Sequence, residues 1–146
     1  MEIRSSAFKE GEKIPSKYTC DGENINPELD FLNVPGNAKS LVLIMDDPDA
    51  VGGTFTHWII YNIDPKTETI SENSIPKDSK QGLNDAGKAS YTGPCPPSGT
   101  HRYYFKLYVI DTILTLGDKV DKTTIDNAIN GRIIEEAQLI GLYIRK

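Results

Sequence analysis

The sequence predicts a mainly β domain, in which two antiparallel sheets pack as a sandwich and one helix lies near the C-terminus. Short apolar or alternating runs recur along all 146 residues between loops rich in Gly, Pro and Asn, as in strands joined by turns. Helical spacing of apolar residues occurs in one late stretch only. The loops are long enough for strands to cross between two sheets. A chain of this length is expected to form a single domain, residues 1–146.

Four strands and one shorter strand are predicted in the first half of the chain. Residues 3–8 alternate weakly, as an edge strand does, and a loop-rich segment with one short strand near Ile14 follows. Residues 29–34 alternate apolar and polar side chains, which is typical of a half-buried strand. Residues 41–45 are continuously apolar, which indicates a central strand covered on both faces. Residues 56–63 are rich in aromatic and β-branched side chains, which favour strands.

The second half begins with a long polar excursion, residues 64–92, in which we expect one or two short strands. A segment of this length without regular structure usually carries function. Residues 102–111 then show the longest strand pattern of the chain, and residues 139–144 close it as a last strand.

Residues 123–137 are predicted to form the helix, with Thr123 and Asp126 as a capping box. Gly131 would lie inside this helix, where glycine costs about 1 kcal/mol relative to alanine, so close packing is expected there. The apolar stripe predicted to face the sheet consists of Ile125, Ala128, Ile129, Ile133 and Ala137.

Composition and charge exclude several classes of protein. The formal net charge of −5 argues against a nucleic-acid partner, since binding to phosphates needs clustered Lys and Arg. No apolar run approaches the roughly 18 residues of a membrane-spanning helix, so no transmembrane segment is expected. The N-terminus lacks the layout of a signal peptide. We therefore expect a soluble, cytoplasmic protein.

The two cysteines, Cys20 and Cys95, form no zinc motif, because neither has another Cys or His at ligand spacing in its own loop. Two interpretations remain open. The cysteines are either reduced thiols, as is usual in the cytoplasm, or a disulfide that joins two loops. A composition rich in Lys, Glu and Ile would fit a thermophile, in which intracellular disulfides occur.

Two polar stretches contain the only two histidines of the chain. In the first, residues 45–58, a strand leads into three aspartates and a Gly-Gly turn, and His57 follows. In the second, residues 93–103, a loop rich in Gly and Pro leads to His101. Each histidine lies where a polar loop enters a hydrophobic strand. We therefore expect the fold to bring the two loops together.

Several interpretations are open for the polar set formed by Asp47, Asp49, His57 and His101. Two imidazoles and a carboxylate could bind non-haem iron. A hydrolase could use Ser98 or Thr100, but no Gly-x-Ser-x-Gly motif is present. An anion pocket could use the N–H groups of both histidines and backbone amides of the Gly/Pro loop, with the aspartates orienting the imidazoles. Finally, both histidines could have a purely structural role, with hydrogen bonds only to groups in the core. The matching positions of the histidines favour the anion pocket.

These stretches resemble the two signature motifs of the phosphatidylethanolamine-binding protein family. Residues 47–50 (Asp-Pro-Asp-Ala) with 57–63 (His-Trp-Ile-Ile-Tyr-Asn-Ile) are similar to the first motif, and residues 93–103 are similar to the second. Residues 18–24 and the ending 141–143 resemble the bacterial and archaeal branch, which is related to Raf kinase inhibitor protein. The resemblance runs in order along almost the whole chain.

The resemblance implies a two-sheet fold with a shallow anion pocket at one end, no cofactor and no bound metal. Family ligands are phosphate-like groups such as phosphoethanolamine. The residues expected to line the pocket are Asp47, His57, Gly93, Pro94, Pro97, His101 and Tyr103. The residues expected to support them are Asp49, Trp58 and Arg102. The chain departs from the family pattern in four respects. Val51 replaces a proline, Phe55 replaces a tryptophan, Asn26 replaces a serine or threonine, and the loop between Pro97 and His101 is short.

The resemblance favours a non-enzymatic binding protein that takes a small phosphate-like or carboxylate ligand and regulates or inhibits another protein, such as a protease or a kinase. The alternative is an inhibitor of serine proteases that acts through a rigid, exposed loop. Residues 66–92 and the loop at Pro96 and Pro97 are the candidates for that loop. A homodimer is compatible with either function.

Overall fold

The computed structural model describes residues 1–145 and contains two antiparallel sheets and one α-helix. The smaller sheet has the order β1-β2-β5 and the larger sheet has the order β6-β4-β3-β7-β8. The elements are β1 (Glu2–Arg4), β2 (Leu29–Leu32), β3 (Ser40–Asp47), β4 (Phe55–Ile63), β5 (Thr69–Ile70), β6 (Lys80–Gln81), β7 (His101–Ile110), α1 (Lys122–Ile129) and β8 (Ile133–Tyr143). The predicted fold class is therefore confirmed.

The central strand β3 is buried along its whole length, as its continuous apolar run predicts. On one face, Leu43 and Met45 belong to a core that includes Phe31 of the smaller sheet. On the other face, Val42 belongs to a second core that includes Ile125 of α1. The larger sheet is thus covered by the smaller sheet on one side and by the helix on the other. This explains why no polar alternation marks the strand.

The topology of the larger sheet brings the two histidines together. Strand β3 pairs in antiparallel fashion with β4 on one side and with β7 on the other. The end of β3 therefore meets the beginnings of both neighbours. Asp47 lies at that end of β3, while His101 begins β7 and His57 is the third residue of β4. The polar residues of two separate sequence stretches thus meet at one edge of the sheet.

The predicted helix is wrong in its second half. Helix α1 ends at Ile129, and residues from Ile133 onward belong to β8. The N-cap is Asp121, whose carboxylate accepts a hydrogen bond from the Thr124 amide at 2.9 Å, so the predicted capping box is not the start signal. Gly131 adopts φ +77° in open space and serves the turn into β8, because only glycine enters that region without strain.

Smaller differences concern the loops and edges. Strand β1 covers only the start of the predicted run at 3–8, and near Ile14 the structure has an isolated bridge between Lys13 and Leu142 in place of a strand. The excursion at 64–92 contains β5 and β6, as expected. No helix within residues 1–145 combines the length and the apolar character that crossing a membrane would require.

The division of the predicted stripe between helix and strand can be tested by two matched variants. Ile129 is 4% exposed in the core under α1, whereas Ile133 is 42% exposed. Ile129→Ala should lower the free energy of unfolding by about 2–4 kcal/mol, and Ile133→Ala by about 0.5 kcal/mol or less. Urea denaturation measures both. Equal losses in the two variants would contradict the helix boundary.

Candidate functional site

A cavity of about 290 Å³ lies at the edge of the sheet where the histidines meet. Its floor consists of four buried polar side chains, Asp47, His57, His101 and Tyr103. Its apolar rim consists of Ala50, Val51, Phe55, Pro96 and Pro97. Thr92, Gly93 and Cys95 complete the wall. Six of the seven residues expected to line the pocket therefore lie around one cavity, and Pro94 does not.

On the floor, Asp47 holds the ring of His101. The Nδ1 atom of His101 lies 2.7 Å from Oδ2 of Asp47, and Oδ1 of the same carboxylate accepts the Asp49 amide at 2.8 Å. An ionised carboxylate can only accept, so Nδ1 of His101 carries the proton of this bond. Asp47 therefore orients His101, as the sequence predicts.

His57 is held by the backbone and not by an aspartate, which corrects the expected role of the acidic residues for this ring. Its Nδ1 donates to the carbonyl oxygen of Thr92 at 2.6 Å, since a carbonyl can only accept. The ring lies between Phe55 and Tyr103, with centroid distances of 4.8 and 5.3 Å. Burial lowers the pKa of the His57 imidazole, against the raising effects of the Thr92 bond and the Asp47 charge.

Both histidines therefore leave Nε2 for the cavity. Neither Nε2 has a hydrogen-bond partner among residues 1–145. The Tyr103 hydroxyl is the one fully buried side-chain polar atom without a partner in that range. The two Nε2 atoms, which also have no partner, are therefore not fully buried. In a neutral imidazole whose Nδ1 carries the hydrogen, Nε2 is an acceptor. The expectation that the neutral rings donate N–H groups into the pocket is therefore wrong.

The Tyr103 hydroxyl is the polar atom that the protein leaves unsatisfied. The side chain is fully buried and lines the cavity, yet its hydroxyl makes no hydrogen bond of regular geometry among residues 1–145, although the Asp47 carboxylate and the Cys95 amide lie close enough to influence its pKa. Burial, and then the nearby charge of Asp47, raise the pKa of Tyr103, so the hydroxyl keeps its proton. Since buried polar atoms are normally hydrogen-bonded, this atom indicates where a bound group would accept a hydrogen bond.

Asp49 and Arg102 form an ion pair outside the cavity. The guanidinium contacts both carboxylate oxygens, at 2.7 and 2.9 Å, and the Arg102 amide donates to the same carboxylate at 2.9 Å. These bonds lower the pKa of Asp49 to about 2. The pair ties the turn after β3 to the start of β7. Asp49 also neutralises the positive charge of Arg102, and Arg102 does not line the cavity.

Trp58, the third residue expected in support, lies away from the cavity. Its indole nitrogen donates to Gln81 at 2.8 Å, and its ring contacts Tyr91 edge-on at 5.3 Å. The Tyr91 hydroxyl donates in turn to the Tyr18 carbonyl. Trp58 therefore packs the segment that precedes the pocket wall and reaches the site only indirectly.

The pocket wall, residues 93–97, is fastened to the loop at 18–24. Cys20 and Cys95 form a disulfide with a Cα separation of 5.4 Å, which resolves the two interpretations of the cysteines. The Cys20 amide donates to the Pro94 carbonyl at 3.1 Å. A side chain at Gly93 would collide with the Tyr18 carbonyl. This close approach explains the glycine.

The Gly/Pro loop does not supply the expected backbone donor at Gly93. That amide donates to Asn24 Oδ1 at 2.8 Å, and the three prolines of the loop have no amide hydrogen. The other amide of residues 93–97, that of Cys95, lies near the Tyr103 hydroxyl. The rim is otherwise apolar, and the polar side chains of the cavity are concentrated on the floor.

Asn84 organises the site, and the sequence analysis missed it. The two hydrogens of its side-chain amide are shared among three acceptors at 2.9–3.0 Å, the carbonyls of His57 and Ser90 and the Thr92 hydroxyl. Its oxygen accepts the amides of Ala86 and Lys88. It thereby holds the segment that carries the Thr92 carbonyl against β4. An asparagine followed by Asp-Ala-Gly suggests only a turn, so no sequence signal distinguishes this role.

A larger depression of about 800 Å³ lies elsewhere, beside the smaller sheet. Of its charged residues, Arg4, Lys66 and Glu68 are exposed and Asp30 is half-buried, and no fully buried polar side chain lines it. The smaller cavity is the better candidate, because its polar groups are desolvated and converge. Across residues 1–145, no three His, Cys, Asp or Glu side chains are arranged to hold a metal ion.

Comparison with known proteins gives consistent matches along the chain. The family model described as phosphatidylethanolamine-binding protein matches residues 4–144. A UPF0098 protein of Methanothermobacter thermautotrophicus is 50% identical over 150 residues, covering 99% of each chain. A UPF0098 protein of Aquifex aeolicus is 46% identical, covering 99% of this chain and 89% of the relative.

Solved structures agree with these matches. The crystal structure of a phosphatidylethanolamine-binding protein homolog from Chlamydia trachomatis superposes with a TM-score of 0.95 at 42% identity, covering 99% of this chain and 97% of that one. E. coli YbcL, described as a member of the mammalian family, superposes with a TM-score of 0.91 at 28% identity, covering 99% and 98%.

Proposed function

This chain belongs to the phosphatidylethanolamine-binding protein family, and on that premise we propose that it is a non-enzymatic binding protein for a phosphate-like group or another small anion. The pocket formed by Asp47, His57, His101 and Tyr103 is the proposed binding site. Occupancy of this pocket would regulate the protein's action on another protein.

The observation that supports this proposal most directly is the unsatisfied hydroxyl of Tyr103. A buried hydroxyl without a partner costs about 1–3 kcal/mol, and a ligand oxygen that accepts its hydrogen bond would recover that cost. The two unpaired Nε2 atoms, on His57 and His101, lie in the same cavity. Three polar atoms on one floor suit a group with several oxygens, such as phosphate, when hydrogens lie between those oxygens and the two Nε2 acceptors.

The size and lining of the cavity limit the ligand. At about 290 Å³ the cavity lies at the lower end of the range for small-molecule sites. It suits a phosphate group with a short organic substituent. The apolar rim at Val51, Phe55 and Pro96 would contact that substituent.

The lining also supports a binding role over catalysis. The hydroxyls considered as nucleophiles, on Ser98 and Thr100, lie on exposed residues that do not line the cavity. The Thr92 hydroxyl accepts a hydrogen bond from Asn84, and Cys95 is in the disulfide. The remaining hydroxyl of the lining, that of Tyr103, has a raised pKa, which favours its role as a hydrogen-bond donor over that of a nucleophile.

Inhibition of serine proteases is the second candidate function. Residues 97–100 are exposed and lie between the disulfide at Cys95 and the start of β7. Anchoring at both ends restrains this segment, as an inhibitory loop requires. A panel of serine proteases tests the candidate. Inhibition that survives in a His101→Ala variant would assign it to the loop and not to the pocket.

Two variants test the pocket. Tyr103→Phe removes only the unsatisfied hydroxyl, so we expect unchanged or slightly higher stability with phosphoethanolamine affinity about twofold to tenfold lower. His101→Ala removes the proposed hydrogen bond between Nε2 and the charged phosphate group, and the affinity for phosphoethanolamine should fall about 10- to 150-fold. Isothermal titration calorimetry measures the affinity, and thermal unfolding measures stability.

Arg4→Gln is the matched control for this experiment, because it removes a positive charge from the larger depression and should leave the affinity unchanged. A loss of affinity in Arg4→Gln with none in His101→Ala would place the anion outside the proposed pocket. A loss of stability in Tyr103→Phe would show that the hydroxyl serves the fold.

A further inference from the structure

Resting on the proposed function, the geometry points to a narrower ligand class: we infer that the pocket binds its oxyanion together with protons and prefers a phosphate monoester in its singly protonated form. The inference depends on which ring nitrogen of each histidine carries hydrogen in the free protein. Both of those assignments follow from the partners of Nδ1.

The assignment for His57 is unambiguous. Nδ1 lies 2.6 Å from the Thr92 carbonyl oxygen, which has no hydrogen to give. Nδ1 must therefore carry the hydrogen, and Nε2 of the neutral ring is an acceptor. Burial lowers the pKa of this imidazole, so the ring is neutral near pH 7 in the absence of a ligand.

The assignment for His101 follows from Asp47. The carboxylate is engaged at both oxygens, by Nδ1 of His101 at 2.7 Å and by the Asp49 amide at 2.8 Å. It acts as an acceptor in both bonds, so Nδ1 is again the donor. In the neutral ring, Nε2 of His101 is the second acceptor offered to the cavity.

No lysine or arginine lines the cavity to compensate for these acceptors. From β3, Asp47 contacts the His101 ring, and the negative charges of Asp46 and, from the loop after β6, of Asp85 act on His57 from a greater distance. Asp46 is paired with Lys106 at 3.0 Å, and Arg102 is paired with Asp49 outside the cavity. From β7, Tyr103 contributes a neutral hydroxyl.

An oxyanion without hydrogen would therefore meet two lone pairs and one carboxylate, with no Lys or Arg side chain in the lining to donate to it. A phosphate monoester avoids this repulsion, because its second ionisation lies near pH 6 and its singly protonated form can donate P–OH to one Nε2. A second proton, placed between the other Nε2 and a further phosphate oxygen, would join those two atoms by a hydrogen bond. Sulfate esters and phosphodiesters have no such hydrogen near neutral pH.

The experiment compares three small probes at pH 7.5: methyl phosphate, methyl sulfate and dimethyl phosphate. Calorimetry in two buffers of different ionisation enthalpy gives the number of protons taken up. We expect methyl phosphate to bind with uptake of at least about one proton. The other two probes should bind at least about tenfold more weakly. The affinity for methyl phosphate should rise about tenfold per pH unit for each proton, as the pH falls from 8 toward 6.5.

His57→Gln and His101→Gln locate the protons. A glutamine side chain can place an N–H near the position of Nε2 but does not titrate. Each variant should therefore retain binding of methyl phosphate while proton uptake and the pH slope decrease. Unchanged uptake in both variants would overturn the assignment to the histidines.

The same monoester could come from a soluble compound or from a lipid. Vesicles of phosphatidylcholine with phosphatidic acid present a monoester, and matched vesicles with phosphatidylglycerol present a diester. Capture by the first vesicles alone, or binding of methyl phosphate without vesicle capture, supports the inference and assigns the source. Equal capture by both vesicles would overturn it.

The possible failures are distinguishable. If methyl phosphate, methyl sulfate and dimethyl phosphate bind equally well without proton uptake, the proposed function stands and the inference fails. If no probe binds, the proposed function fails and the inference fails with it.

Discussion

Replacing Cys20 and Cys95 together with serine should lower the free energy of unfolding by about 4 kcal/mol. The disulfide joins residues 75 positions apart, and the stabilisation from restricting the unfolded chain grows with the length of the closed loop. Urea denaturation of the variant and of the parent measures the loss. Parent protein reduced with excess dithiol is the control and should unfold like the variant.

The same variant should bind phosphoethanolamine more weakly, because Cys95 lines the cavity and the disulfide fastens the wall. The loss should be less than about tenfold, since the Cys20–Pro94 and Gly93–Asn24 hydrogen bonds remain. An unfolding midpoint equal to that of the oxidised parent would show that the disulfide contributes nothing to stability.

Asn84→Ala should lower the free energy of unfolding by about 2–4 kcal/mol and should also weaken ligand binding. The substitution removes a buried side chain that bonds to His57, Ser90 and Thr92. Unsatisfied buried partners cost about 1–3 kcal/mol each, and part of that cost is recovered by water because the turn at 86–88 is exposed. Binding should weaken because the Thr92 carbonyl would no longer hold His57 in place.

Asn127→Ala is the matched control, since Asn127 is exposed on α1 and its replacement should change stability by about 0.5 kcal/mol or less. Denaturation and calorimetry are measured on both variants. If Asn84→Ala unfolds like Asn127→Ala, the hydrogen bonds of Asn84 do not organise the site.

The long strands could be predicted from the sequence because their patterns extend over many residues. The apolar run in β3 is buried on both faces, and only a central strand provides that environment. Six of the seven residues expected from the two motifs around His57 and His101 lie around one cavity. The resemblance contributed the choice of individual residues, since spacing alone left four interpretations of the histidines open.

The errors have physical causes. Ile129, Ile133 and Ala137 are four residues apart, a spacing that keeps side chains on one face in a helix and also in a strand. The pattern therefore could not show where α1 ends and β8 begins. The tautomer of His57 depends on the Thr92 carbonyl, which Asn84 positions from a loop without periodicity. The spacing of two cysteines likewise does not show whether their loops meet.

The central claim, that His57 and His101 bind a phosphate group through Nε2, can be tested by NMR of the imidazole nitrogens. The chain has only two histidines, so each of the four ring nitrogens gives an assignable signal. In the free protein at pH 7.5, both Nδ1 signals should be those of protonated nitrogen, and the Nε2 signal of His57 should be that of unprotonated nitrogen. Saturating methyl phosphate should shift both Nε2 signals toward the protonated form and leave both Nδ1 signals protonated. Ring-nitrogen spectra that do not change at saturation would contradict the claim.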